Sequence, residues 1–188
     1  MIVSVAAQFR LVNLKIEDLN ARKIENDHDL RVYKVNLKSI IKYQQFLIRF
    51  VDDLNKLLTV PIALLMVSSV TMICSSLYVR TTHQGSVFEE GRFFIIIFIV
   101  TAEFFLIYGL PAQLLMNESE ATADTLYSEC KWYSPQLRSL RKNFLIMMIR
   151  SQKSICIRAG HYHVINNRTI LLMMKTAYTF HTFLQEVT

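Results

Sequence analysis

The chain has 188 residues, of which 52% are hydrophobic and 19% charged, and its formal net charge is +6. Four glycines and three prolines are few for a protein of sheets and tight turns, so the composition favours long helices. Three widely spaced cysteines without a CxxC pair indicate neither a disulfide framework nor a zinc site. Long uncharged runs separate the basic residues, so the positive charge points to a cytoplasmic membrane face and not to nucleic acid.

The N-terminal third predicts one clear helix. Residues 1–7 are apolar but too short to cross a membrane, and residues 8–34 are polar and mixed in charge, with a turn at 25–29. Apolar residues then recur at spacings of three and four over residues 36–58, which predicts an amphipathic helix. This helix packs on cytosolic partners or lies on the bilayer surface; the pattern leaves both interpretations open.

Two runs are long enough to span a membrane, since a hydrocarbon core needs roughly 20 apolar residues of helix. Residues 57–79 carry no charge and contain Pro61 in their first turns, where it can kink the helix. Residues 93–116 contain a single ionisable side chain, Glu103. A carboxylate in hydrocarbon costs at least ~2.5 kcal/mol, so we expect Glu103 to make an interhelical hydrogen bond or to serve a ligand or ion pathway.

The C-terminal third predicts two further helices. A helical pattern covers residues 139–158, Ala159 and Gly160 interrupt it, and residues 161–167 form a loop or re-entrant turn. Residues 168–187 form a last helix that is less apolar than the two spans, with polar residues scattered along it, among them His181 and Gln185. Such a helix lines a water-filled path or lies buried inside a bundle, and the sequence favours neither.

The basic residues predict the orientation of the spans. Residues 10–56 hold ten Lys or Arg, the link at 80–92 holds two, and residues 117–158 hold seven. The first and third regions are therefore cytoplasmic and the link is outside. A third crossing by the last helix would place the C-terminus outside the cell.

Catalysis has no support in the sequence. A nucleophile elbow, a glycine-rich phosphate loop and paired carboxylates of catalytic type are all missing, which predicts that the protein is not an enzyme. His161 and His163 lack a third metal ligand nearby, so we expect neither a metal nor a cofactor.

The order and spacing of short motifs over about 75 residues resemble the C-terminal end of insect odorant receptors. The matching positions are Gln113 to Leu115, Glu118 to Glu120, Ala123 and Asp124, Tyr127, Trp132 and Tyr133, Met148 to Lys153, Ala159 and Gly160, Lys175, and Ala177 to Thr179. Residues 49–55, RFVDDLN, are also similar to the family's helix before its fifth span. The resemblance covers essentially the whole chain.

This resemblance implies an odorant-gated cation channel in the plasma membrane, a heterotetramer of tuning subunits with a shared co-receptor. The family has seven helices and roughly twice this length, so the chain is expected to be a C-terminal fragment. On that map residues 1–56 comprise the end of the fourth helix and a cytosolic anchor helix, and 57–116 the fifth and sixth helices with their extracellular link. Residues 117–160 are further anchor helices, and 161–188 hold the last helix, which lines the pore and ends outside.

The expected fold is therefore an all-α membrane bundle with three transmembrane helices and cytosolic amphipathic anchor helices. The pore lining is predicted at His181, Leu184 and Gln185. A wall for a small volatile ligand is predicted at Phe94, Ile97 and Phe98, and packing of the anchor between subunits at Leu140, Phe144, Met147 and Met148. The alternative is an accessory membrane protein that does not conduct, or a non-functional truncated one.

Overall fold

The structure is a computed structural model that describes residues 1–21, 26–82, 87–130, 135–160 and 163–187. Within these ranges the side chains at 80–82, 87–90, 93, 94, 136, 184, 185 and 187 lie outside the description. The helices are α1 (Ile2–Ala21), α2 (Asp27–Thr82), α3 (Val87–Glu103), a π helix (Phe104–Gly109), α4 (Leu110–Glu129), a 3₁₀ helix (Pro135–Leu140), α5 (Arg141–Ser151) and α6 (Asn167–Val187). Two short antiparallel strands, β1 (Arg158–Ala159) and β2 (His163–Val164), precede α6.

This architecture confirms the predicted helical class. The amphipathic helix and the first span form one continuous helix, α2, with Pro61 inside it. The second span runs through α3, the π helix and α4 without a break. Two predictions were too coarse. Residues from 8 to 21 of the polar segment belong to α1, and residues 154–157 are extended chain followed by the paired strands β1 and β2, where a helix and a loop were expected.

The two apolar spans are long enough to cross a membrane and are mostly exposed. Among the described residues, Asp27–Val79 and Ile95–Glu129 meet this test, and only 11% and 17% of their most apolar segments are buried. A core helix of a soluble protein would be mostly buried, so these surfaces are suited to lipid. The last helix, α6, does not reach the same apolarity, and its crossing of the membrane stays a prediction.

The polar side chains in the second half of α2 do not disturb this surface. Hydroxyls of Ser68, Ser69, Thr71, Ser75 and Ser76 each donate to a carbonyl three or four residues earlier in the same helix, at 2.7–2.9 Å. With their protons satisfied inside the helix, these small residues tolerate a lipid or a close helical neighbour equally well.

The chain divides into two compact units, of which the first comprises residues 1–54 and 114–156. Its core contains fully buried apolar side chains from all of its helices: Phe9, Val12, Ile16, Leu37, Val51, Leu115, Leu126 and Phe144. Side-chain hydrogen bonds tie these helices together. Thr122 Oγ1 donates to Asn13 Oδ1 at 2.7 Å, and Gln44 Nε2 donates to Ser151 Oγ at 2.8 Å.

A second polar connection in this unit centres on Asn20. Its Nδ2 donates to the Cys130 sulfur at 3.0 Å, and its Oδ1 accepts from the Tyr33 hydroxyl at 2.8 Å. Burial raises the pKa of the Cys130 thiol to about 11; the Asn20 hydrogen bond opposes this shift and the Glu129 charge adds to it. The pKa of Tyr33 is also raised, mainly because its hydroxyl is buried and to a smaller extent because Cys130 lies nearby. Both groups are therefore neutral at physiological pH and stabilise the fold as hydrogen-bonding partners.

The second unit comprises residues 55–113 and 157–188. Here the hairpin is fixed to α2 through the backbone: the Gly160 N–H donates to the Thr59 carbonyl at 3.0 Å and the Arg158 N–H to Asn55 Oδ1 at 3.1 Å. Gly160 has a φ of +64°, a left-handed conformation that suits glycine. The turn therefore holds the start of α6 close to α2.

Phe144 tests the core of the first unit. Its side chain is 1% exposed and its ring centroid lies 6.5 Å from that of Tyr33. We expect Phe144→Ala to destabilise the protein by about 3–5 kcal/mol because it removes buried area and leaves a cavity. Leu145→Ala, at a neighbouring side chain that is 46% exposed, is the control and should be within roughly 0.5 kcal/mol of wild type. Chemical unfolding in detergent micelles measures both; equal losses would contradict this core.

The thiol of Cys130 gives a second test. In a Cys74→Ser/Cys156→Ser variant, Cys130 is the only cysteine. At pH 8 a thiol with this pKa is ionised to about one part in a thousand, so alkylation should be roughly a hundredfold slower than for an ordinary thiol. The rate should then rise about tenfold per pH unit up to pH 10. Rapid labelling of the folded protein at pH 8 would show that the thiol is not held as described.

Candidate functional site

The last helix begins at a well-formed cap. Asn166 Oδ1 accepts a hydrogen bond from the Thr169 backbone N–H at 2.8 Å, the arrangement of an N-cap asparagine. The Thr169 hydroxyl also contacts Asn166 Oδ1 at 3.0 Å and donates to the Val164 carbonyl. These bonds fix the start of α6 against the strand that precedes it, which sets the direction in which each α6 side chain points.

One stripe of α6 packs into the second unit. Ile170, Met173, Ala177 and His181 are all less than 9% exposed. Their spacings of three and four place them on one face of the helix. This face is apolar except at its end, where His181 Nδ1 is buried without a hydrogen-bond partner among the described residues.

The opposite stripe of α6 is exposed and mostly polar, with the exposed Leu171 and Leu172 between its first two polar members. Its members recur at spacings of seven, four, three and four: Arg168, Lys175, Thr179, Thr182 and Glu186. All are exposed except Thr182, which is half-buried. Thr179 and Thr182 donate their hydroxyl protons to carbonyls of the helix itself, so only their oxygen lone pairs remain for another group. We call these five residues the outer face of α6.

The pore lining expected at His181, Leu184 and Gln185 stays a prediction, and the structure describes the surroundings of His181 alone among the three. His181 is 6% exposed and its ring lies 6.4 Å from that of Tyr178. A side chain that lines a pore between subunits is exposed in the isolated subunit, so the burial of His181 argues against that position. The side chains of Leu184 and Gln185, the other two predicted pore residues, lie outside the description.

The second long apolar segment, residues 93–116, departs from regular α-helical geometry directly after Glu103. In the π helix (Phe104–Gly109), hydrogen bonds reach back five residues, and the Leu110 N–H following it donates to the Phe105 carbonyl. Glu103 is exposed and makes no interhelical hydrogen bond within the described ranges, so the interhelical bond expected there stays a prediction. The buried polar group at this level is the Thr101 hydroxyl, which lacks a partner among the described residues.

The π helix contacts α6 through Gly109. A Cβ atom added there would lie 2.1 Å from Ile170 Cδ1 and 3.6 Å from Asn167 Oδ1. Any larger residue therefore forces the end of the Ile170 side chain to move, and glycine allows the two helices to approach with that side chain in place. Asn167 Oδ1 is itself buried and, in the part of the chain described, has no hydrogen-bond partner. A glycine in an otherwise bulky segment is the signal in the sequence that could have indicated this contact.

The predicted ligand wall is only partly visible. Ile97 is half-buried, Phe98 is 73% exposed, and the side chain of Phe94 lies outside the description. Ile97 and Phe98 are adjacent in sequence and do not share one face of α3. A ligand wall at these residues stays a prediction.

The side chains predicted to pack the anchor between subunits are mostly buried within this chain. Leu140, Phe144 and Met147 are 7%, 1% and 3% exposed, and Met148 is half-buried. They form the inner face of this segment, which leaves little of their surface for another subunit. The apolar side chains that α5 does expose are Leu145, Ile146 and Ile149.

The first unit contains a half-open cavity of about 310 Å³ between α1 and α2. Lys15 lines it, with its ammonium 5.3 Å from the centroid of the Tyr43 ring, in a cation–π contact. The lining combines one basic and one acidic residue with uncharged polar and apolar side chains, and this mixture points to no particular ligand.

Comparison with known proteins decides the family. The family model described as 7tm Odorant receptor matches residues 1–178. The chain belongs to the 7tm odorant receptor family. Among the relatives, Odorant receptor 49a of Drosophila melanogaster is 27% identical over 80% of this chain and 37% of its own length. Odorant receptor 56a of the same species is 25% identical over 96% of this chain and 46% of its own length.

Solved structures show the same fold. The insect olfactory receptor OR5 from Machilis hrabei in complex with eugenol superposes with a TM-score of 0.77 at 14% identity, over 100% of this chain and 46% of that one. A second structure of the same receptor gives a TM-score of 0.72 at 14% identity. The chain thus spans less than half the length of the family members it matches.

The contact at Gly109 gives a test by rescue. We expect Gly109→Ala to destabilise the second unit by about 1–3 kcal/mol, since the added methyl group overlaps Ile170 Cδ1. A second change, Ile170→Val, removes that terminal carbon and should restore part of the loss. Gly91→Ala is the matched control, because nothing lies within 4 Å of a Cβ there. Thermal unfolding in detergent compares the three; equal effects at Gly91 and Gly109 would contradict the close approach.

Proposed function

We propose that this chain forms part of an odorant-gated cation channel and that α6 lines the ion path with its outer face. Membership of the odorant receptor family supports the receptor role. The observation that carries the pore assignment is the division of α6 into a buried stripe and an exposed polar stripe.

Lipid is a poor environment for the outer face. A lysine near the centre of a membrane helix costs about 2.5–3.5 kcal/mol on insertion scales. Lys175 lies eight residues into α6, or about 12 Å along the helix, and is exposed. Two threonines continue the same stripe for two more turns. A water-filled path removes this cost, and side-chain oxygens at Thr179 and Thr182 then offer acceptors to a passing hydrated cation.

His181 has a supporting position in this proposal. It lies behind the outer face, where it fixes the rotation of α6 by packing into the second unit together with Ile170, Met173 and Ala177. The pore-facing residues are then Thr179 and Thr182, one on either side of His181 in sequence.

The ligand class follows from the relatives. The structure of Machilis hrabei OR5 was determined in complex with eugenol, a small aromatic molecule. We infer that this receptor also responds to a small volatile ligand, with Phe94, Ile97 and Phe98 of α3 available as apolar wall residues. This low-polarity surface suits such a molecule better than a charged one.

Assembly completes the proposal. We infer a heterotetramer with the family's co-receptor in the plasma membrane, the basic first unit in the cytosol and the C-terminus outside. The exposed apolar residues of α5, Leu145, Ile146 and Ile149, supply a surface for a neighbouring subunit in place of the buried residues predicted at first.

Cysteine accessibility tests the pore face. In cells that also express the co-receptor, Thr179→Cys and Thr182→Cys should become sensitive to a charged, membrane-impermeant thiol reagent, with at least half of the odorant-evoked current lost. The control is Ala177→Cys on the same helix, which is 0% exposed and should not react. The unmodified chain corrects for any reaction at its native cysteines.

Two results would count against this assignment. If the reagent modified residue 177 but neither 179 nor 182, the ion path would be lined by the opposite side of α6 and not by its outer face. A chain that reaches the plasma membrane with the co-receptor and supports no current with any odorant would favour the accessory-protein alternative.

A further inference from the structure

The π helix contacts α6 where Gly109 lies against the end of the Ile170 side chain. Phe104 and Gly109 are both buried although they lie five positions apart. In a π helix five residues complete about one turn, so both face the same side. The π geometry is therefore what presents Gly109 to Ile170.

A regular α-helix would present a different residue at this place. Continued forward from the buried Phe104 at α-helical spacing, the inner face reaches Tyr108, whereas Gly109, five positions on, lies about 140° away. Tyr108 would then replace Gly109 opposite α6. A tyrosine ring does not fit where a single added carbon would already lie 2.1 Å from Ile170 Cδ1. The α register therefore requires α6 to move.

Two polar atoms indicate that the π register is not the sole stable arrangement. Thr101 Oγ1, just before the π helix, and Asn167 Oδ1, beside Gly109, are both buried without a hydrogen-bond partner among the described residues. Each such group costs about 1–3 kcal/mol, and buried unpaired groups often mark strained or functional places. π turns within α-helices also occur frequently at functional sites.

We propose that the π helix (Phe104–Gly109) is a two-state joint that converts to α geometry and thereby displaces α6 at Ile170. Conversion changes the register by one residue, so α3 rotates by about 100° and shifts by about 1.5 Å relative to α4. A ligand that binds better to one rotation of α3 shifts this equilibrium, and the exchange of Gly109 for Tyr108 transmits the change to α6. This inference rests on the proposed function where it assigns α6 to the ion path.

Disulfide trapping in cell membranes tests the joint without any current measurement. The pair Gly109→Cys/Ile170→Cys reports the π register, and the pair Tyr108→Cys/Ile170→Cys reports the α register. Each pair is built in a Cys74→Ser background, oxidised mildly, and measured by mass spectrometry of the linked peptides. Gly91→Cys/Ile170→Cys is the negative control, since a Cβ at Gly91 meets nothing within 4 Å.

A two-state joint predicts that both reporting pairs form linked peptides and that the control pair does not. A link at 109 alone would show a static π helix and overturn the proposal, and a link at 108 alone would overturn the π assignment itself. If neither pair links, the contact with Ile170 is not as described and the proposal also fails.

A second arm separates the joint from the channel. With the co-receptor present, oxidation of the 109–170 pair should reduce odorant-evoked current at least threefold, and a reducing agent should restore it. If both pairs link but oxidation leaves the current unchanged, the joint exists and its coupling to α6 is refuted. If both pairs link and no variant, including wild type, conducts, the channel function fails while the joint remains established.

Discussion

A hydrocarbon environment supplies no hydrogen-bonding partner, so each polar group of a membrane helix must be satisfied inside the protein. The long helices of this chain follow from that constraint. In α2 the backbone bonds its own groups, and the hydroxyl groups of its second half bond to carbonyls of the same helix. The apolar side chains are then free to remain exposed, as in Leu64 and Val67, at 65% and 63%.

The two units satisfy their polar groups differently. In the first unit, polar side chains on different helices bond to one another, as Asn13 does with Thr122 and Gln44 with Ser151. Such connections hold helices whose apolar faces alone would allow several packings. The second unit has buried polar atoms that lack partners within the described ranges, at Thr101, Asn167 and His181. This difference suits a rigid first unit and a second unit that changes conformation.

The residues around Gly109 show how one local departure from α geometry organises a helix contact. In the π helix the usual α-helical hydrogen bonds are replaced by bonds that reach back five residues, and Gly109 lies against Ile170. That contact and the N-cap at Asn166 together fix the rotation of α6. The rotation in turn decides that Ala177 and His181 are buried while Lys175 and Thr179 are exposed.

The sequence by itself determined the helical membrane class, the family and the positions of the two long apolar spans, because the apolar runs are long and the family motifs keep their order. It also determined that a last helix begins near residue 167. Tertiary structure alone decided which side of that helix is buried, since spacing groups residues into faces but does not say which face meets the protein. For this reason the burial of His181, Phe144 and Met147 could not be read from spacing, and their predicted places at a pore and between subunits stay predictions. The π helix could not be predicted from the sequence either. No local pattern marks it, and the contact that accompanies it is with Ile170 of α6, which is distant in sequence.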